Sequence, residues 1–127
     1  MGNIVPNSAP QILELTLDKV RLRANANGEC FGGEIMDAMR EAAAGLRVDR
    51  LEVLLTRTVL VQTMESLGEN YPAEVLQDYE NPMQVSKALR YLNEAINWTA
   101  RLKASEQRIR DGENDTAVCS TAEKSTN

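Results

Sequence analysis

The chain has 127 residues, 43% apolar but only 4% aromatic, with fourteen basic against nineteen acidic side chains and a net charge of −5. That length holds one domain around an aliphatic core, and the acidic balance weighs against nucleic acid, whose binders carry a basic footprint. Histidine is absent, which removes the commonest general base, the usual zinc ligand and every Ser-His or Cys-His nucleophile pair.

Residues 1–10 carry Pro6, Pro10, Asn3 and Asn7 and read as an irregular arm. Residues 11–24 hold two periodicities. Leu13, Leu15 and Leu17 alternate as in a half-buried strand, whereas Leu13, Leu17, Val20 and Ala24 share one helix face. The leucine-rich composition favours helix. Asn25-Ala26-Asn27-Gly28 breaks the pattern with turn residues. Gly28-Glu29-Cys30-Phe31-Gly32-Gly33 then precedes a helix start, where an anion can dock on open N–H groups. An ordinary loop entering a helix is the plainer reading. Cys30 is either a thiol activated by that helix end or an inert buried one.

Ile35, Met36, Met39, Ala42 and Ala43 form a helical stripe in 34–44, and Gly45 is a plausible stop. Asp49 is placed to cap the next helix, with Glu52 completing a capping box. That helix, 50–67, carries Leu51, Leu54, Leu55, Thr58, Val61 and Met64 on one face, and Gly68 ends it. A short piece at 73–79 sets Val75, Leu76 and Tyr79 against the bend, and Glu65, Glu69, Glu74, Asp78 and Glu80 form a solvated acidic rim. Asn81 and Pro82 suit the N-cap and first position of a long helix, 83–110. Its seam is Val85, Ala88, Leu89, Leu92, Ala95, Ile96, Thr99, Leu102 and Ile109. Lys103, Arg108 and Arg110 lie near its C-terminus, where cations complement the macrodipole. Asp111-Gly112 predicts its end, with 111–127 a disordered acidic tail.

The expectation is an all-α fold: a flexible arm (1–10), one helical domain (11–110) and a tail. The domain is a small bundle built on a long antiparallel helical hairpin. Two arms alone make a thin core, so residues 11–24 and 33–45 or a second chain must add to it; the near-heptad seam of the long helix leads to the expectation of a homo-oligomer. Its interface with a second copy or another protein partner is placed at Val85, Leu89, Leu92, Ile96, Trp98 and Leu102, a near-heptad set. Arg47, Arg50 and Arg57 make a possible basic stripe, with Arg101, Lys103 and Arg108 on the other arm. Neither phosphate-binding glycine motif occurs, and the two cysteines are isolated from each other. No catalytic residue, metal or cofactor is therefore assigned. The reduced thiols and the lack of an apolar leader point to the cytoplasm, and no apolar run is long enough for a membrane span.

The run Leu51-Glu-Val-Leu-Leu-Thr-Arg…Met64, followed by Ala88-Leu-Arg-Tyr-Leu…Ala100-Arg101, resembles short helical-hairpin proteins encoded by phages and mobile elements. The resemblance spans 33–110 and implies a bacterial host and no known activity. Ala88-Leu89-x-x-Leu92-x-Glu94-Ala95-x-x-Trp98 is similar to a helix of phage hairpin proteins that sequester cyclic-nucleotide immune signals. Asn81-Pro82-Met83-Gln84 stands where that family opens its helix with Ser-Arg-Glu. The functional expectation is a non-enzymatic, oligomerising helical adaptor or accessory protein. A small-molecule sponge acting against host defence, and a DNA-associated regulator or packaging factor, are the alternatives.

Overall fold

The computed structural model describes residues 8–119. The fold is mainly all-α: α1 (Ala9–Arg23), α2 (Gly32–Leu46), α3 (Arg50–Ser66), the single turn α4 (Pro72–Val75) and α5 (Val85–Cys119). Two short strands, β1 (Glu29–Cys30) and β2 (Met83–Gln84), pair antiparallel, with Glu29 opposite Gln84 and Cys30 opposite Met83.

The ambiguous N-terminal stretch is a helix. Pro10 stands in its first turn, where a missing N–H costs nothing. Ile12, Leu13, Thr16, Leu17 and Val20 are buried at three- and four-residue steps, leaving Leu15 and Leu22 exposed. This helix, rather than the α3–α5 pair, is the centre of the molecule: α1 packs most extensively on α5 and on α2. The expected hairpin is present beside it. Tyr91 donates to Glu69 at 2.8 Å, while Trp98 and Arg101 lie beside Gln62 and Thr63, so α3 and α5 run in opposite directions. The pair of arms thus gains a third layer, and the core joins Ile12, Leu13, Ile35, Met39, Leu60, Met64 and Leu92.

Several boundaries differ from expectation for local reasons. Gly45 lies within α2, and the left-handed residue that closes it is Arg47, at φ 59°. Asp49 caps α3 as expected, accepting the Glu52 N–H at 3.1 Å. Glu52 does not complete the capping box; its carboxylate reaches back to the hydroxyl and N–H of Ser8 and ties α3 to the start of α1. Gly68 adopts φ 99° and ends α3 as expected. Asn81-Pro82 does not open the long helix. Met83-Gln84 pairs with β1, and Val85 donates its N–H to Gly28 O at 2.8 Å, so α5 begins at Val85. At the other end α5 continues past Asp111-Gly112 to Cys119, where the tail was expected to begin. The rest of that tail, residues 1–7 of the arm, and the side chains of Lys103, Arg108, Ile109 and Arg110 lie outside the described part.

Candidate functional site

The interface expected on α5 is largely consumed by the chain itself. Leu92 is fully buried, and Val85, Leu89, Ile96 and Trp98 are half-buried against the same core. Leu102 is half-buried as well. Ala88 and Ala95, which carry the local similarity to the sponge helix, are also fully buried. The seam is therefore a packing face for α1 and α3, and Leu92 has no surface to offer a second chain.

The glycine loop before α2 is closed by the chain's own backbone. Gly33 N–H donates to Asp78 O at 2.9 Å, and a Cβ on Gly32 would stand 1.8 Å from Val75 O. Tyr79 lies over Gly33 and donates its hydroxyl to Asp37 at 2.7 Å. The two glycines thus admit the α4 segment to the helix start, where an anion was considered in the sequence. Cys30 is 2% exposed, and burial, with Glu34 nearby, pushes its thiol above the ordinary range. Such a thiol is protonated and inert.

In the acidic bend Glu65, Glu74 and Glu80 are exposed, as a solvated rim predicts, while Glu69 and Asp78 make structural contacts. Glu69 accepts from Tyr91 and pairs with Lys87 at 3.5 Å. Asp78 accepts the N–H groups of Glu80 and Asn81, which hold its carboxyl below the usual carboxylate range. Among the described residues no group of three or more acidic or thiol side chains gathers as a metal site.

The departure with the largest consequence is the orientation of α3. The expected face divides: Leu51 is 59% exposed, Leu54 49% and Leu55 39%, with Thr58 exposed beside them, whereas Met64 is fully buried and Val61 packs against the core. The buried face is Val53, Thr56, Val59, Leu60, Thr63 and Met64. Threonine tolerates this burial because its hydroxyl is satisfied within the helix: Thr56 donates to Glu52 O at 2.7 Å and Thr63 to Val59 O at 2.9 Å. A hydropathy reading of α3 ranks leucine above threonine and so selects the wrong side.

Beside the leucine face, and sharing Leu54 with it, α2, α3 and the residues that follow α4 form a cleft of about 560 Å³. Arg50 and Arg57 of the expected basic stripe line it, joined by Arg40 from α2, a residue that the sequence did not single out. Arg101 instead lies on a separate hollow of about 220 Å³ between α3 and α5, with Trp98 and Glu94. Among the described residues no helix is long and apolar enough to cross a membrane. No protein-family model matches the chain, and neither does any curated protein or solved structure.

Proposed function

We propose that this chain is a non-enzymatic helical protein that works by association, and that a second copy seats on the outward face of α3. The observation that carries this reading is the exposed leucine stripe. Leu51, Leu54 and Leu55 with Thr58 are spaced as a helix buries residues, yet all four lie on the surface of the chain. Single exposed apolar residues are ordinary, whereas a contiguous group at helical spacing marks a contact surface.

The same face is suited to meeting a copy of itself. Exposed Arg47 lies at one end of the stripe and exposed Glu65 at the other. A twofold axis near Leu54 and Leu55 sets leucine against leucine with the two helices antiparallel. It also turns the basic end of each copy toward the acidic end of its partner. In the sequence the oligomer rests on the seam of α5; the exposed face supports an interface on α3 instead.

Light scattering coupled to size exclusion tests the reading. The expected result is twice the chain mass for the native sequence, and one chain mass for the Leu51→Glu, Leu55→Glu double variant with unchanged helical circular dichroism. A native chain that stays monomeric at the highest soluble concentration overturns it, as does a double variant that still dimerises.

A further inference from the structure

We propose that the cleft between α2, α3 and the residues that follow α4 is a binding site for a small organic anion, with a phosphate or carboxylate head on an apolar body. The volume of about 560 Å³ falls in the range of small-molecule sites, roughly 300–1,000 Å³. The floor is apolar, formed where buried Met36, Ala43, Val53 and Leu76 reach the surface. The polar lining is Arg40, Arg50 and Arg57 with Asp49 and Gln77, three cationic side chains to one anionic. In a chain of net charge −5, that convergence runs against the overall balance.

The guanidinium groups are not there to neutralise acids of the fold. Among the described residues no carboxylate pairs with Arg50 or Arg57, and Arg40 has one exposed partner, Asp37, at 3.0 Å. Asp49 is the one acidic lining residue, and its carboxylate is engaged by the Glu52 N–H. Arg50 and Arg57 stand two turns apart on α3, and Arg40 lines the same cleft from α2, so planar forks that match a phosphate or carboxylate are supplied from two elements. The cleft lies at the first turns of α3, where the helix dipole also favours negative charge. An apolar floor under a cationic rim excludes a bare inorganic ion as the best ligand, because the floor contributes only to something it can cover.

Calorimetric titration of the full chain with four probes tests the site: 1-naphthyl phosphate, 1-naphthoate, 1-naphthol and inorganic phosphate. Saturable binding of either naphthyl anion is expected, at least about tenfold tighter than the neutral naphthol or the bare phosphate. Whichever anion binds more tightly identifies the head group. Arg50→Gln and Arg57→Gln are expected to weaken it by about tenfold each, Arg57→Lys by less, and Arg101→Gln on the far hollow to leave it unchanged. Retained circular dichroism separates a lost site from a lost fold. The Leu51→Gln, Leu55→Gln variant, which removes the two leucines without adding charge beside the arginines, is expected to be monomeric and to bind as the native chain does, so this site and the self-association fail or stand separately. No saturable binding at about 5 mM, equal binding of naphthol, or indifference to Arg57→Gln overturns the proposal.

Discussion

Tyr91 shows how a single polar group is used inside this aliphatic molecule. Its ring is buried between α5 and α3, and its hydroxyl donates to Glu69 at 2.8 Å. Burial first, then the Glu69 bond, pushes its pKa up from 10.0 to about 12. Since the folded value is raised, the stabilisation is fully present below pH 10 and is lost as the pH rises through about 12. An ultraviolet phenolate titration is expected to show Tyr91 and Tyr79 ionising late, Tyr79 held up by its hydrogen bond to Asp37, with the Tyr91 step disappearing in Tyr91→Phe. That variant is expected to lose about 1–2 kcal/mol in urea unfolding at neutral pH. Cys30 makes the opposite use of burial. In a Cys119→Ser background it is expected to resist a thiol reagent until denaturant is added, and rapid native labelling would contradict its inertness. The hydroxyls of Thr56 and Thr63 belong to the same scale. They explain why residue types alone misplace the buried side of α3.

At the scale of elements, the two glycines at the start of α2 are fixed by a neighbour 43 or more positions away in sequence. A methyl on Gly32 meets the Val75 carbonyl, which is backbone and has little room to yield. Gly32→Ala is therefore expected to destabilise by about 3 kcal/mol, at the upper end of overpacking costs. Gly45, in the last turn of the same helix, has nothing within 4 Å of its would-be Cβ. Gly45→Ala is expected to stabilise by about 0.5–1 kcal/mol through helix propensity and a less free unfolded chain. Urea midpoints of the two variants should move in opposite directions; a common direction would show that α4 does not sit tightly on α2. The β1–β2 pair is the other feature of this scale. It joins segments 54 residues apart through two residues each and leaves no alternating pattern long enough to read.

For the whole molecule, the exposed α3 face ties stability to concentration. If a second copy covers it, the melting temperature of the native chain rises with protein concentration, while that of Leu51→Glu, Leu55→Glu does not. Differential scanning calorimetry over a wide dilution range checks this independently of the mass measurement.

The helical class, the aliphatic core, the Asp49 cap and the Gly68 stop are legible in the sequence because each rests on local chemistry: propensity, periodicity, capping and φ > 0. The stripe on α2 and the helical reading of 11–24 follow the same logic. Tertiary structure alone decided which faces meet. Two sides of α3 are each able to pack, one through leucines and one through internally bonded threonines, and α1 settled the contest by packing on α5 and α2. The α5 seam is apolar as read, but Leu92 is wholly used within the chain and its neighbours partly so, because burial within one chain and burial between two draw on the same pattern. The arginine cleft was legible only in part. Arg50 and Arg57 stand out by spacing on one helix, but Arg40 joins them from another, and no local rule brings α2 beside α3.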